Sequence, residues 1–252
     1  MHLPDGIVSA TPLTIGLGLT GLAGAAVALK ESRFTRAGDM AWTGTIAAFV
    51  LAVQAVNVPL VPGASAHALG ATLAALTLGP ARAVLTLFAV LLIQALLFAD
   101  GGVTVLGINT LTIAVLPVLA VEAFRRVFAR LPRALELSAV AGTLTGNLAA
   151  AALLALALHD GAGAPLALTA TWLIGVHALS GVLEGVLTGI AVRRLAARAP
   201  ALLERREAAP APGRAHYRAA AVALVVVLAL LPFASNAPDA LQVVLSQLQA
   251  EP

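Results

Sequence analysis

The chain opens Met1-His2-Leu3-Pro4-Asp5-Gly6, an amine followed at once by a histidine. The Met1 amine, the His2 backbone nitrogen and the His2 imidazole can occupy three corners of one plane. One further imidazole would complete a square of four nitrogens, a geometry diagnostic of Ni(II) or Cu(II) and accessible to Co(II). The candidate for that corner is His67, which follows the bent stretch Asn57-Val58-Pro59-Leu60-Val61-Pro62-Gly63-Ala64-Ser65-Ala66. Initiator methionine is trimmed before small residues, so the bulky His2 is expected to keep Met1 in place. Asp5, Asn57 and Ser65 are candidates for orienting the imidazoles, as partners behind metal ligands usually do. Plainer readings stand beside each assignment. An N-terminal histidine can be incidental, His67 can cap the helix that begins there, and Asp5, Asn57 and Ser65 can be turn or cap residues. The metal reading gains from the pairing: both histidines lie on non-helical stretches of one side, and each supplies what the other lacks.

Such a site needs a scaffold, and the composition makes it a membrane one. Apolar residues form 60% of the 252 and charged residues 11%, against about half and a quarter in soluble domains. The apolar residues fall in long runs, as transmembrane helices require. Eight spans are expected, at roughly 11–29, 40–57, 67–79, 82–98, 104–126, 136–158, 168–193 and 217–233, giving an all-α polytopic bundle. Thr11 is a fitting N-cap for the first, with Pro12 at the first helical position. Leu3 to Ser9 does not read as a cleavable signal peptide. The third span is short, about 13 residues or roughly 20 Å of helix against a hydrocarbon core about 30 Å thick. The Pro/Gly-rich stretch before it cannot be continuous helix. Non-helical backbone at membrane depth is tolerated only inside protein or around a cavity. This loop is therefore expected to dip in from outside and to place His67 at the top of a short helix.

With the N-terminus outside, all 15 Lys and Arg fall in cytoplasmic loops, in keeping with the positive-inside rule. Asp5, Asp100, Asp160, Asp239 and Glu251 then face outward with no basic residue among them. This split accounts for the net charge of +3 without nucleic acid, and it would concentrate cations at the outer entrance. Both termini are expected outside. Residues 1–198 form a seven-span, metal-capturing unit, 199–214 a cytoplasmic Ala/Pro-rich linker, and 215–252 a single-span module. The last ends in an amphipathic pattern with Leu241, Val244, Leu245 and Leu248 on one stripe.

His177 and Glu184 lie seven apart and project from one face of the seventh span. Ionisable residues inside a span default to a functional hypothesis, though a polar pair holding helices together is the simpler reading. Gly181, Gly185 and Gly189 make a flat strip beside them, suited to close helix approach within the chain or with a partner. Gln94, Asn109 and Asn147 are expected to make interhelical hydrogen bonds. Cysteine is absent, which removes thiolate chemistry. The chain also lacks a Walker P-loop, a His-Glu-x-x-His zinc motif and a Gly-x-Ser-x-Gly nucleophile elbow, so no enzymatic activity is expected and energy must come from a separate ATPase.

Met1-His2-Leu3-Pro4-Asp5-Gly6 resembles the opening of the CbiM/NikM family. These are substrate-capturing components of energy-coupling-factor (ECF) transporters for cobalt and nickel. The resemblance continues through Asn57-Val58-Pro59, His67, Gly79-Pro80, Gln94 to Gly102, Gly107-Ile108-Asn109 and His177 to Glu184, covering about residues 1–195. It implies that Met1, His2 and His67 hold transported Co2+ or Ni2+, with no resident cofactor. It also implies a plasma (inner) membrane location beside a transmembrane coupling subunit and two cytoplasmic ATPases. The tail Pro238-Asp239-Ala240-Leu241-Gln242 resembles the Pro-Asp-Gly-Leu-Glu motif of the family's small membrane partner, with Ala and Gln replacing Gly and Glu. Two other readings remain open from the residues: an intramembrane hydrolase using His177, Glu184 and Ser180, and a stand-alone secondary metal permease.

Overall fold

The computed structural model describes residues 2–32, 37–62, 64–200, 203 and 238–250. Met1, the expected eighth span at 217–233 and most of the linker at 199–214 lie outside these.

Helix α1 (Pro12–Glu31) starts as its sequence demands. The Thr11 hydroxyl accepts the Thr14 N–H, the Thr14 hydroxyl accepts the Thr11 N–H, and Pro12 fills the first turn. Helix α2 (Ala37–Gln54) leads into a hairpin of β1 (Val58–Val61) and β2 (Ala64–Ala66), antiparallel with Val58 opposite Ala66. After α3 (Ala71–Leu78), Gly79 turns the chain directly into α4 (Pro80–Ile93), which ends in a π-helical turn, Gln94–Phe98. One continuous rod follows: α5 (Leu106–Asn109), a π-helical stretch Thr110–Val115, and α6 (Leu116–Val127). Pro117 near the start of α6 explains the π stretch, because it cannot donate to the preceding turn and its ring would crowd a regular ladder. Helices α7 (Ala134–Ala162) and α8 (Leu166–Arg198) form a long hairpin, and α9 (Ala240–Ala250) is a short terminal helix.

Five helical stretches are long and apolar enough to cross a membrane: Pro12–Glu31, Pro80–Phe98, Leu106–Val127, Ala134–Ala162 and Leu166–Arg198; Met40–Gln54 is a shorter apolar helix. Many large side chains point outward, among them Leu19, Leu29, Leu187 and Ile190. So large an exposed apolar surface suits lipid and would be a liability in water.

Three features refine the sequence reading. The stretch before His67 is a β-hairpin, and α3 begins at residue 71 rather than 67. Gly70 adopts φ +72°, and the Leu69 and Gly70 N–H groups point to a side chain of α8 instead of opening a helix. His67 thus sits on the hairpin's exit, not on a helix top. The glycine strip packs within the chain: a Cβ on Gly185 would lie 2.8 Å from Val140 Cα, and one on Gly181 3.1 Å from Leu144 Cα. Lastly, α9 docks on the body, with Leu241 and Val244 buried in one cluster with Leu3, Val105, Leu158 and Leu173. The Pro238 carbonyl accepts the Ser65 N–H at 2.9 Å.

Candidate metal site

The N-terminal segment, the β-hairpin, the loop at 99–104 and the start of α9 meet at one end of the bundle. Leu3 anchors the first of these. Its N–H donates to Asn109 Oδ1 at 2.8 Å, and its carbonyl accepts from Asn109 Nδ2 at 3.0 Å and from the Gly102 N–H at 2.8 Å. Asn109 can do this because it closes α5, where the ladder widens into the π stretch. Gly102 is needed for the close approach: a Cβ there would fall 2.4 Å from Asp5 Oδ1. Asp5 in turn accepts the N–H groups of Val103 (3.0 Å) and Thr104 (2.8 Å) and the Thr104 hydroxyl.

This anchoring buries His2 beside His67. The two rings lie within 9° of parallel, with centroids 5.4 Å apart. A ring nitrogen holds a metal in the plane of its ring, about 2 Å away, so the stacked imidazoles can share one ion only after one ring turns out of the stack. His2 Nδ1–H donates to Asp100 Oδ1 at 2.9 Å. Asp100 reaches it because Ala99, in the left-handed region at φ +52°, ends the π turn and reverses the chain. The His2 Nε2 lone pair is buried and finds no hydrogen bond. A chelate that also uses the His2 backbone nitrogen closes through Nδ1, so metal capture in that mode takes Nδ1 from Asp100, which a turn of the ring about Cβ–Cγ accomplishes.

His67 is held from below. Its Nδ1 donates a long hydrogen bond to the Ala68 carbonyl at 3.3 Å. The next two N–H groups, of Leu69 and Gly70, donate to the Glu184 carboxylate at 3.0 and 2.8 Å, and the Leu69 carbonyl accepts from Gln54 Nε2 at 2.7 Å. Burial lowers the pKa of His2 and lowers that of His67 further. Burial thus favours the neutral form of both rings, the form whose lone pair a metal requires. Burial by itself would raise Asp100, but the hydrogen bond from His2 holds it below the ordinary carboxylate value.

Among the described residues, no three His, Cys, Asp or Glu side chains gather around one point. A complete site here needs backbone or terminal nitrogens beside the two imidazoles. The sequence-based candidates divide accordingly. His2 and His67 come together, and Met1 lies outside the described residues. Asp5 braces the 103–104 loop rather than an imidazole. Asn57 Oδ1 is buried without a hydrogen bond, and Ser65 ties the hairpin to the tail through its backbone. His177 and Glu184 are not bonded to each other: His177 Nδ1–H donates to the Leu173 carbonyl, while Glu184 serves the 69–70 turn. The Ser180 hydroxyl donates to the His177 carbonyl at 3.3 Å, not to its ring, so the hydroxyl–imidazole contact a hydrolase would use is absent. Asp100, Asn109 and Gln54 organise the site without having been singled out for it, though Asp100 and Asn109 both stand in the shared family strings. The altered tail motif closes on itself at the start of α9. The Asp239 N–H donates to Gln242 Oε1 and the Gln242 N–H to Asp239 Oδ1, a reciprocal cap in which Gln replaces Glu.

This bundle of long apolar helices is that of a membrane protein, and comparison with known proteins gives the family. Residues 2–202 match CbiM, the cobalt uptake substrate-specific transmembrane region. The fused nickel transport protein NikMN of Rhodobacter capsulatus is 33% identical over 250 residues, covering 90% of this chain and 71% of that one. The cobalt transport protein CbiM of Carboxydothermus hydrogenoformans is 34% identical over 149 residues, 56% of this chain and 60% of that one. The crystal structure of a truncated transition metal transporter superposes with a TM-score of 0.65 at 30% identity, covering 77% of this chain and 98% of its own. The chain belongs to the CbiM family and is a substrate-specific membrane component of cobalt or nickel transport.

Proposed function

We propose that this chain captures Ni2+ or Co2+ at the outer face of the plasma membrane for an ATP-driven ECF importer. The ligands are the N-terminal amine, the His2 backbone nitrogen, the His2 ring and the His67 ring. The observation that carries this is the buried, near-parallel pair of His2 and His67, 5.4 Å apart, each held by hydrogen bonds from a different part of the fold. The amine needs no separate placement to join the chelate, because it is covalently one peptide unit from the His2 nitrogen. Four nitrogen donors favour Ni(II) over Co(II) by the general affinity order.

The remaining assignments follow from charge and from kinship. The basic ends of α6 and α8 face the cytoplasm, which puts both termini and the histidine pair outside. Residues 1–198 form the capturing unit, 199–214 the linker and 215–252 a module like the family's small partner. A transmembrane coupling subunit and two cytoplasmic ATPases supply the energy, since the chain carries no nucleotide-binding motif of its own.

Metal titration of the purified chain with and without His67→Ala tests the ligand set. One ion per chain, weakened by roughly a hundredfold or more on losing one of four donors, is expected. Equal binding by both proteins would remove His67 from the site. Uptake that stops when cellular ATP is depleted supports the coupled importer, whereas uptake that continues would favour the stand-alone permease.

A further inference from the structure

The start of α9 lies against the hairpin that carries His67. The Pro238 carbonyl accepts the Ser65 N–H at 2.9 Å, and Ser65 and Asp239 pair as a short parallel bridge. Leu241 and Val244 hold the segment down, buried in one cluster with Leu3. Asp239 is only 7% exposed and lines one small cavity together with His67. Its Oδ1 accepts the Gln242 N–H at 2.8 Å. It is also the one charged residue between positions 238 and 250, because Gln242 stands where the resembling motif has Glu. Burial by itself would raise this carboxyl, but the charge of the amino terminus holds it well below the ordinary value. A carboxylate from the far end of the chain thus meets the histidine pair from the His67 side, as Asp100 meets it from the His2 side.

We propose that Asp239 is the buried counter-charge of the capture site, holding the amino terminus in place and offsetting the bound ion without being one of its ligands. This rests on the capture reading above and deepens it. Four nitrogen donors bring at most one negative charge, that of a deprotonated His2 amide, so a divalent ion leaves the ligand set net positive. Buried charge of that kind is costly unless an opposite charge stands near it. Asp100 offsets it less, because its side chain is 46% exposed and water weakens its field. Asp239 is shielded from water, so its charge acts at greater strength. Before capture, the same carboxylate attracts the protonated amine, which sits on the residue next to His2, about 3.8 Å away between Cα atoms. Asp239 stays outside the ligand set, since no three His, Cys, Asp or Glu side chains among the described residues gather around one point. It is a positioning residue, acting on the ion through space and through the amine.

Substitution separates a counter-charge from a mere helix cap. Asparagine and serine cap a helix about as well as aspartate, so Asp239→Asn removes the charge and keeps the tail docked. Gln242→Ala does the reverse, breaking the reciprocal cap and keeping the charge. Co2+ is titrated by calorimetry into the purified full chain and its variants, with the visible absorption of the bound ion and thermal unfolding in detergent recorded beside it. Asp239→Asn should weaken the ion by roughly tenfold or more, with unfolding close to wild type and the Co2+ bands unmoved. Asp239→Ser repeats the loss of charge with a different side chain, so the test does not hang on one variant's folding. Asp239→Glu should recover part of the affinity. Gln242→Ala should bind within about threefold of wild type. Wild-type affinity in Asp239→Asn and Asp239→Ser, an equal loss in Gln242→Ala, or Co2+ bands that shift when the carboxylate is lost would each overturn the proposal alone. A wild-type chain that binds no ion overturns the capture reading, and this one with it.

Discussion

The Glu184 carboxylate, midway along α8, accepts the Gly70 N–H at 2.8 Å and the Leu69 N–H at 3.0 Å, tying a buried acid to the turn that follows His67. The two N–H groups belong to the turn just before α3, which Gly70 closes at φ +72°. Gln54 grips the same turn from α2 through the Leu69 carbonyl. His67 is therefore positioned from two sides although neither residue touches its ring.

Glu184→Ala should weaken metal binding by roughly ten- to a hundredfold, the usual effect of losing a partner that orients a ligand. Glu184→Gln keeps one accepting oxygen and should lose less. Calorimetric titration of the three proteins checks the order wild type, Gln, Ala. Equal affinities would mean that the 69–70 turn holds its shape without the carboxylate.

Asn109 does for His2 what Glu184 does for His67, clamping both backbone groups of Leu3. Asn109→Leu removes donor and acceptor together and should weaken the metal by at least about tenfold. Asn109→Asp retains the acceptor for the Leu3 N–H and should fall between. Because Leu3 is not itself a proposed ligand, this loss would report the placing of the N-terminus rather than the removal of a donor.

At Gly185 a methyl group would meet the α7 backbone, 2.8 Å from Val140 Cα, while Gly175 on the same helix has open space around it. Gly185→Ala should cost about 1–3 kcal/mol by overpacking, seen as earlier thermal unfolding in detergent. Gly175→Ala should unfold close to wild type. If the two variants matched, the α7–α8 hairpin would not be set by the glycine strip.

Asp5 supplies a pH test separate from the imidazoles. The Thr104 hydroxyl and the Thr104 and Val103 N–H groups hold its carboxyl below the ordinary value of 3.8. A depressed carboxylate contributes fully above its unfolded pKa, and the contribution is lost as pH falls through the lower folded value. Hydrogen exchange of the Val103 and Thr104 amides should be protected at pH 5 and lose that protection only below the ordinary carboxylate range. Asp5→Asn should show reduced protection already at pH 5.

The sequence made His2 and His67 stand out together because the capacity of an amine followed by His to chelate is local chemistry, legible from adjacent residues, and the fold brings the two rings side by side. The five long apolar helices were legible for the same reason, since long apolar runs need no tertiary context; the expected third span is instead the eight-residue α3, and the expected eighth lies outside the described residues. The hairpin at 58–66 was not legible, because its strands are short, Pro59 sits in one and Pro62 in the turn, and the stretch carries only loop signals. The brace residues were hidden by distance: Asp100 lies 98 positions from His2, and Glu184 lies 114 from Gly70. His177 and Glu184 share a helical face, which made them look like one pair. Their actual partners are set by what α3 and α8's own backbone present to each, which periodicity does not encode. The glycine strip could be read as a packing surface, but only the fold shows that α7 covers it.

The most direct test of capture by the N-terminus is to insert one glycine between Met1 and His2 and to titrate Ni2+ and Co2+ into both purified proteins. The insertion changes the chelate and leaves every helix, His67 and the Asn109 clamp on Leu3 in place. One ion per native chain and affinity weakened by roughly a hundredfold or more in the variant is the predicted result. Equal affinity in the two proteins would show that the amine and His2 do not form one chelate, and would contradict the account.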